Sequence, residues 1–456
     1  MNVTLQNLGP IKEATIDLDK KLIVLCGPNN TGKTYLSYVL YAFTRMRMYG
    51  REELSMDLVD AFFDKKAFDF ELNFDKLLDL YSRRVILLNN DLSTIFGLSE
   101  SKVKQMFRGF HFFTDVSRTS FEEYIVSIPL DFYVGKDGLN VNVIKDANSK
   151  TIRVVNKTKE DENQIKELVK NEVMSAIYNH IVIHPITYSH FFTVERNSIY
   201  TFHKDIFSKR SRVIDEIQDL EESAKDRAWK YVMSTTSKYP LAIRQNLDIT
   251  NSMLELKKDI GVYADLADEI EADILNGTLS LNDDGELLFS PNKNLKKLVP
   301  LQLSASIVKT LSSLIFYIRH ICEPNNILFI DEPELNLHPD TQILLARIFG
   351  KMINRGLRLV ISTHSDYIIR EINNLILLSQ TSQKFQKEAQ KYGYSKDSII
   401  SPTDVSAYLF EYNKTKVKVN PIEVTNSGFE VRTIDEAISS LNKISEHLYF
   451  AMKYNE

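Results

Sequence analysis

Apolar and polar residues alternate along the start of the chain, and this alternation predicts a pair of short strands. Val3 and Leu5 alternate with polar neighbours, the chain turns at residues 7–10, and the alternation resumes over residues 11–18. A period of two is typical of a strand with one buried face. We therefore expect a hairpin at a sheet edge over residues 3–18.

The next segment, residues 22–26, is a continuous apolar run, which predicts a strand that is buried on both faces. A glycine-rich turn follows it. Beyond the turn, Leu36, Val39, Leu40 and Phe43 are spaced as on one face of a helix. The predicted order is therefore strand, loop, helix.

The C-terminal part of the chain is predicted to alternate strands with helices. A short hairpin turns at residues 283–285, and after it come a helix at 305–320, a strand at 327–330, a helix at 340–355 and a strand at 357–361. Such alternation is typical of a largely parallel sheet covered by helices. The residues after about 376 are expected to form a small α+β tail.

Two further helical patterns cover residues 206–231 and 249–274. The second is a seven-residue repeat of apolar positions, namely Ile249, Met253, Leu256, Ile260, Tyr263, Ala267, Ile270 and Ile274. Because residues 234–240 separate the two patterns, we expect an antiparallel helical hairpin with arms of roughly 35–40 Å at about 1.5 Å per residue. Two amphipathic helices that lie on the core explain the same pattern equally well.

These patterns divide the chain into three predicted parts. Residues 1–204 hold the glycine-rich turn and an insertion over 50–180, residues 205–275 form the helical arm, and residues 276–456 complete the sheet. The insertion mixes helical stretches at 52–82 and 101–109 with strand-like alternation over 122–156. No chemistry can be assigned to it.

Composition and charge exclude several classes of protein. Hydrophobic residues make up 43% of the chain and charged residues 26%, as in an ordinary folded protein. The net charge of -5 gives no overall attraction to nucleic acid or anionic lipid, so any contact with DNA would be local. Cys26 and Cys322 lack metal-site spacing and are expected to be reduced core residues. No signal segment or long apolar stretch is present, so we expect a cytoplasmic protein without a membrane partner.

The glycine-rich turn fits the P-loop pattern and lies in the strand-to-helix context that the pattern requires. Backbone N–H groups of such a loop bind phosphate oxygens, a lysine adds a positive charge, and a hydroxyl contributes to Mg²⁺ coordination. The sequence therefore predicts ATP and Mg²⁺ as ligands. The expected ATP-binding residues are Gly27, Pro28, Asn29, Asn30, Thr31, Gly32, Lys33 and Thr34, with Thr34 also on the metal.

A Walker B strand is predicted over residues 327–332, where four apolar residues precede two carboxylates. Asp331 is expected to hold Mg²⁺, and Glu332 to orient or deprotonate the attacking water. His364 follows the next predicted strand and is expected to contact the γ-phosphate at the same sheet edge. An acidic strand end or an isolated histidine can also be purely structural, and the nearby P-loop favours the catalytic interpretation.

The order of these motifs resembles the ABC ATPase heads of structural-maintenance, double-strand-break repair and OLD-like proteins. The resemblance implies an ABC-ATPase head with a mixed, largely parallel P-loop sheet, and a signature loop that the opposite subunit supplies to the ATP. Leu303 and Ser304 match that loop, whereas residues 305–307 replace its glycines and glutamine. The resemblance therefore implies that Ser304 and Ser306 bind nucleotide across the interface of a homodimer or larger homo-oligomer.

Residues 331–339, residues 362–365 and the segment around Arg196 look most like compact bacterial ATPases of antiphage defence, such as those of PARIS and Septu. This resemblance implies a separately encoded effector, a nuclease or toxin, and a phage trigger protein. It also implies an arginine near the head surface, although a salt bridge between Glu195 and Arg196 explains that pair equally well. No Asp-x-Asp follows Ile376, so the chain is not expected to carry the TOPRIM nuclease of OLD proteins.

Two other functions are compatible with the same motifs. One is a DNA-repair or DNA-bridging ATPase of the structural-maintenance type, for which the predicted arms are short and the net charge is unfavourable. The other is a nucleotide-gated assembly with negligible turnover. No residue in the insertion stands out as the glutamine of a glutamine loop.

Overall fold

The computed structural model describes residues 1–46, 55–136, 139–158, 162–184, 186–202, 239–292 and 298–454. The chain forms two compact units. The first comprises Met1–Val3, Phe43–Asn90 and Phe112–Thr187, and the second comprises Thr4–Ala42, Asp91–His111 and Tyr188–Glu456. All the predicted nucleotide-site residues fall in the second unit.

The strands of the described residues are β1 (Asn2–Leu8), β2 (Ile11–Asp17), β3 (Leu22–Cys26), β4 (Ala67–Glu71), β5 (His111–Thr114), β6 (Leu130–Lys136), β7 (Leu139–Lys145), β8 (Thr151–Asn156), β9 (Ser189–Phe192), β10 (Gly277–Leu281), β11 (Leu287–Pro291), β12 (Val299–Pro300), β13 (Ile327–Asp331), β14 (Arg358–Thr363), β15 (Val405–Asn413) and β16 (Lys416–Ile422).

The helices are α1 (Lys33–Arg45), α2 (Met56–Asp64), α3 (Phe74–Asn90), α4 (Leu92–Phe96), α5 (Glu100–Met106), α6 (Arg118–Ser127), α7 (Glu162–Val182), α8 (Leu241–Asn251), α9 (Met253–Leu256), α10 (Ala264–Glu269), α11 (Ser306–His320), α12 (Pro339–Asn354), α13 (Asp366–Ser379), α14 (Gln383–Ala389) and α15 (Arg432–Tyr454). A π-helix, Ile270–Leu275, continues α10.

A mixed, largely parallel sheet forms the centre of the second unit and confirms the predicted fold class. Its strand order is β5-β1-β2-β16-β15-β3-β14-β13-β9. Strand β3 runs parallel to β14 on one side and to β15 on the other, and β13 runs parallel to β14 and β9. All five residues of β3 are buried, as its unbroken apolar sequence predicts. The strands at 327–330 and 357–361, the helices that flank them and the strand pair β1–β2 are also confirmed. The predicted place of that pair at the sheet edge is wrong, because β5 lies beyond β1.

The C-terminal residues do not form a separate tail. They have the expected α+β composition, but β15 and β16 lie inside the main sheet, and β15 pairs with β3 from Val405↔Leu22 to Leu409↔Cys26. Strand β15 is suited to this place because Val405, Ala407, Leu409 and Phe410 are buried. The strand that carries the P-loop therefore depends on the C-terminal part of the chain for one of its two neighbours.

The prediction of one continuous helix over residues 249–274 is wrong. The chain there forms the ends of α8, then α9, α10 and the π-helix, and Met253, Tyr263, Ala267 and Ile270 belong to the core of the second unit. Packing on a core requires the same apolar spacing as pairing with another helix, so the repeat did not distinguish the two. The other predicted arm, 206–231, lies outside the described residues, so a helix there remains a prediction. A projecting hairpin that pairs it with one continuous helix over 249–274 does not fit the core packing of the second segment.

The first unit contains most of the predicted insertion and is built on its own antiparallel sheet of order β4-β8-β7-β6. Helices α3 and α7 pack together, and apolar residues such as Leu77, Val143, Val154 and Ile177 are buried. The alternation predicted over 122–156 is confirmed from β6 onward, whereas residues before it belong to α6. The helical prediction over 52–82 misses β4.

Candidate functional site

Three neighbouring parallel strands end at one edge of the main sheet and bring the predicted motifs together. Cys26, the last residue of β3, is in register with Thr363 of β14, and Ser362 is in register with Asp331 of β13. The P-loop follows Cys26 directly, Glu332 follows Asp331, and His364 follows Thr363. Ligands bind at this edge in open α/β sheets, so the arrangement supports the predicted nucleotide site.

The P-loop backbone uses conformations that favour glycine. Gly27 has φ +135° and Gly32 has φ +92°, and Asn30 also has a positive φ, 64°. A Cβ atom on Gly27 would lie 2.5 Å from the backbone oxygen of Phe410 in β15, a distance that no side chain tolerates. The loop leads into α1 at Lys33, so the N–H groups of the first helical turn are directed towards this edge of the sheet.

The loop residues between the glycines are accessible to a ligand. Pro28, Asn29 and Asn30 are exposed, and the hydroxyl of Thr31 donates to the carbonyl oxygen of Pro28 at 2.8 Å. This bond helps to hold the loop in shape. Tyr412 of β15 donates a further hydrogen bond to the Asn30 oxygen at 2.8 Å.

Lys33 is buried, and its amino group is held within the loop. Its Nζ donates to the carbonyl oxygens of Gly27 and Pro28, at 2.9 Å in both cases. Burial lowers the pKa of Lys33, and the negative charge of Asp331 opposes that change. The structure therefore places a desolvated amino group where phosphate oxygens would replace the carbonyls as its acceptors.

Thr34 and Asp331 are hydrogen-bonded to each other, so their oxygens are close enough to share one Mg²⁺ ion. The Thr34 hydroxyl donates to Oδ2 of Asp331 at 2.8 Å, and the Ser362 hydroxyl donates to Oδ1. Asp331 is 4% exposed, and burial raises its pKa although both hydroxyls act in the opposite direction. A hydroxyl and a carboxylate are oxygen ligands that fit Mg²⁺, whose remaining positions are usually taken by water and phosphate. The described residues contain no cluster of three or more His, Cys, Asp or Glu side chains that could hold a metal ion.

Glu332 has a left-handed backbone conformation, with φ 47°. That region costs a residue with a side chain about 1–2 kcal/mol. Its N–H donates to the Ser362 oxygen at 3.0 Å, and its side chain is partly accessible to solvent. The backbone turn directs the chain out of the sheet immediately after Asp331, so the two adjacent carboxylates occupy different environments.

Glu334 is a residue of this site that the sequence did not identify. Its Oε1 accepts hydrogen bonds from the Thr363 hydroxyl and the His364 N–H, at 2.9 Å each. Within the described structure its other oxygen, Oε2, is buried and has no hydrogen-bond partner. The imidazole Nε2 of His364 lies 3.8 Å from Oε1, and the His364 side chain is 40% exposed. His364 is therefore at the rim of the site, where a ligand can reach it.

Arg196 is not near the surface, and it is not paired with Glu195. It is 2% exposed, and its guanidinium donates to the backbone oxygens of Thr193, Thr310, Asp331 and Glu332. Burial lowers its pKa to about 10, so it stays charged at neutral pH. The segment that follows β9 thus contributes a central contact to the Walker B turn.

Ser304 and Ser306 lie at the start of α11. Ser304 is buried, and its hydroxyl donates to the Pro300 oxygen at 3.1 Å, whereas Ser306 is the first residue of the helix and is exposed. Leu303 beside them is 79% exposed. Among the described residues no hydrogen bond joins either serine to the P-loop of the same chain.

Comparisons with known proteins identify the domain type. The model of the family described as AAA ATPase domain matches residues 1–369. Among curated proteins, none matches the chain. None of the helices in the described part of the chain combines the length and apolarity needed to cross a bilayer.

Solved structures with a similar arrangement include an Smc head domain with an extended coiled coil bound to the C-terminal domain of ScpA, from Pyrococcus furiosus. It is 11% identical, with a TM-score of 0.34, over 97% of this chain and 98% of that one. A second SmcHead bound to the C-winged helix domain of ScpA is 10% identical, with a TM-score of 0.37, over 93% and 98%. The SMC head domain from Thermotoga maritima is 8% identical, with a TM-score of 0.29, over 93% and 98%.

Proposed function

Because the chain belongs to the AAA ATPase domain family, we propose that it binds ATP with Mg²⁺ at the P-loop and hydrolyses it. The observation that carries this proposal is the hydrogen bond between Thr34 of α1 and Asp331 of β13. Lys33, whose amino group is held within the P-loop, directly precedes Thr34. These three side chains supply a cation for phosphate and two oxygen ligands for Mg²⁺ at the same sheet edge.

Each group has a separate role in the proposed reaction. The loop N–H groups and Lys33 bind the phosphates, and Thr34 and Asp331 hold Mg²⁺, which when bound neutralises charge on the β- and γ-phosphates. Glu332 accepts a proton from the attacking water or orients that water. His364, at the exposed rim, contacts the γ-phosphate, and Glu334 fixes its backbone through the 2.9 Å bond to the His364 N–H.

The proposed active site is composite, with Ser304 and Ser306 supplied by a second copy of the chain. Two features support this. Ser306 and Leu303 are exposed at the start of α11, and a large apolar residue such as Leu303 next to polar donors is typical of a protein interface. The helix start also offers free N–H groups that suit a phosphate. A homodimer or larger homo-oligomer would then form when ATP is bound.

For the biological role, we propose the ATPase subunit of an antiphage defence system that controls a separately encoded nuclease or toxin and responds to a phage protein. Support comes from the amino-acid sequence of residues 331–339 and 362–365, which resembles the sequences of such ATPases. If this is right, cells that carry the chain with its neighbouring genes lose protection against phage when Lys33 is replaced by Ala, as plaque counts would reveal.

Two substitutions test the ATPase proposal. Lys33→Ala should weaken ATP binding at least ~10-fold, because a charge-assisted hydrogen bond contributes about 1.5–3 kcal/mol. Glu332→Gln should still bind ATP but lose about 10²–10³-fold in kcat, since the amide keeps the shape without the basic oxygen. Isothermal titration measures the first effect and phosphate release the second.

Lys12→Ala, which removes an exposed lysine of β2, is the matched control and should change neither quantity. Unchanged ATP affinity in Lys33→Ala would refute the P-loop assignment. Full turnover by Glu332→Gln would remove Glu332 from the reaction.

A further inference from the structure

Arg196 connects two parts of the proposed site that the reaction requires in fixed relative positions. Its Nη1 donates to the Asp331 oxygen at 2.8 Å and its Nη2 to the Glu332 oxygen at 2.9 Å. Its Nε donates to the oxygen of Thr310 at 3.3 Å. Thr310 belongs to α11, the helix that begins at Ser306. A single side chain therefore bridges the Walker B turn and the helix of the proposed signature loop.

All the acceptors of Arg196 are backbone carbonyls, including Thr193 at 2.9 Å from Nη1. An arginine that serves as a counter-ion would bond a carboxylate instead. Its planar guanidinium presents five N–H groups in a rigid fork, and a lysine cannot reach acceptors spread in this way. The geometry of the fork, and not the charge alone, is what this position uses.

The two Walker B carbonyls bonded by Arg196 lie on either side of the Cα atom of the strained residue, Glu332. Glu332 has φ 47°, and the oxygens of Asp331 and Glu332 are the acceptors before and after its Cα atom. Strained conformations persist only where surrounding contacts hold them. Arg196 supplies such contacts, so the direction of the Glu332 side chain depends on it.

A second hydrogen bond joins the same residue of α11 to the segment beyond Walker B. The Asn336 amide donates to the Thr310 hydroxyl at 3.3 Å, and Asn336 also has a positive φ, 59°. Thr310 is therefore bonded at its carbonyl by Arg196 and at its hydroxyl by Asn336. A shift of α11 cannot leave the turn 331–336 unaffected.

We infer that Arg196 is a positioning residue that transmits the position of α11 to Glu332, so that engagement of the loop 304–306 sets the rate of ATP hydrolysis. This inference rests on the proposed function, in which Glu332 acts on the attacking water and Ser304 meets nucleotide across an interface.

Arg196→Lys tests it, because the charge remains and the fork is lost. We expect ATP affinity within ~3-fold of wild type and a fall in kcat of at least ~10-fold, since small misplacements of a catalytic group are costly. Arg347→Lys is the matched control. Arg347 is also largely buried and bonds Glu371 at 2.6 Å and the Tyr392 oxygen at 3.1 Å, away from the site. It should lower the melting temperature and leave kcat per folded molecule unchanged.

A double-mutant cycle separates transmission from a local effect. Ser304→Ala should lower kcat in the wild-type background. In the Arg196→Lys background the fold decrease in kcat should be at least ~3-fold smaller, because the link between α11 and Glu332 is already broken. Asn336→Gly, at an exposed position whose positive φ glycine adopts freely, gives the same test should Arg196→Lys fail to fold. Losses that simply multiply in both cycles would overturn the inference.

Hydrogen exchange provides a readout that needs no turnover. Peptides covering residues 327–338 should exchange faster in Arg196→Lys than in Arg347→Lys, with nucleotide absent. The inference would be overturned if these peptides exchanged at the same rate in Arg196→Lys and Arg347→Lys and Arg196→Lys had the kcat of wild type. The proposed function would survive that result as long as Glu332→Gln is inactive. Full activity of Glu332→Gln, or no effect of Ser304→Ala on the wild type, would instead refute the proposed function itself.

Discussion

Asp331 combines a functional position with an unfavourable environment for its charge. It is 4% exposed, and burial raises its pKa despite the hydroxyls of Thr34 and Ser362. A carboxyl with a raised pKa in the folded state contributes stability that is present below its unfolded pKa and lost as pH rises through the folded value. At neutral pH, with the metal site empty, this carboxyl therefore leaves the folded state less stable than it is in acid.

Asp331→Asn should accordingly stabilise the nucleotide-free protein at pH 7, because the amide keeps the shape without the buried charge. We expect the melting temperature to rise by about 2–4 °C, the shift typical of a ΔΔG of 1 kcal/mol in a domain of moderate size. The gain should shrink as pH falls from the raised folded pKa of the carboxyl towards its unfolded pKa, below which Asp331 is protonated in both states. ATP hydrolysis should be lost.

Scanning calorimetry at several pH values without nucleotide measures the effect. Asp283→Asn, which changes a fully exposed carboxylate, is the control and should shift the melting temperature little at any pH. The predicted direction is wrong if the melting temperature of Asp331→Asn minus that of wild type is smaller at pH 7 than at acidic pH.

Among single residues, those of the motifs could be predicted from the sequence, whereas the residues that support them could not. Lys33, Thr34, Asp331 and Glu332 stand in short patterns that follow buried strands, so local order is sufficient to find them. Arg196 acts on backbone carbonyls that any sequence would provide. The partners of a buried arginine are visible only once the fold is known.

Among the elements, β15 matters most for the P-loop. It pairs with β3 over five residues and places Phe410 against Gly27, where a Cβ would overlap the Phe410 oxygen. The C-terminal helix α15 differs, since its described side chains at 439–453 are exposed. The two elements should therefore differ sharply in what their removal does.

A chain shortened to residues 1–400 should lose ATP binding and form inclusion bodies, because β3 is left with an unpaired edge and uncovered apolar residues. A chain shortened to residues 1–438 should retain its melting temperature within about 2 °C, since exposed residues contribute little to stability. The two shortened chains can be compared by their expression yield, their thermal unfolding and their titration with ATP. Normal ATP binding by the 1–400 chain would show that β15 is dispensable.

The periodicity of apolar residues predicted most elements of the second unit but not their neighbours. The pattern over 405–412 contains no information that its partner is β3, because strand pairing is a long-range choice. For residues 249–274, the repeat is real and the helix is not continuous. Gly261 marks one break, where its N–H donates to the Arg319 oxygen at 2.7 Å instead of extending a helix.

For the molecule as a whole, the decisive question is whether each active site uses two copies of the chain. Ser304→Arg should leave ATP binding by single copies unchanged but block nucleotide-dependent assembly and hydrolysis, because bulk and misplaced charge at a close interface are costly. An equal mixture of Ser304→Arg and Lys33→Ala proteins should recover up to about a quarter of wild-type activity. Half of the random pairs are then mixed, and each mixed pair has one intact site of two.

Phosphate release before and after mixing, with light scattering for assembly, provides the measurement. A mixture of Lys33→Ala with Glu332→Gln protein is the control and should recover nothing, since both changes affect the half of the site that carries the P-loop. Full activity of Ser304→Arg by itself would mean that residues 303–306 only begin a helix, and the two-copy mechanism would be wrong.

The place of β15 in the sheet also constrains how the protein can be made in a cell. Strand β3 ends at Cys26, whereas its neighbours begin at Arg358 and Val405. At about 5–20 residues per second, roughly 20–80 s of translation separate the P-loop from the last strand beside it. Until β14 emerges, β3 has apolar faces and neither of its two sheet neighbours, whereas the four-stranded sheet of the first unit is complete by Asn156. The nascent chain is therefore expected to depend on chaperones at the ribosome until the C-terminal strands emerge.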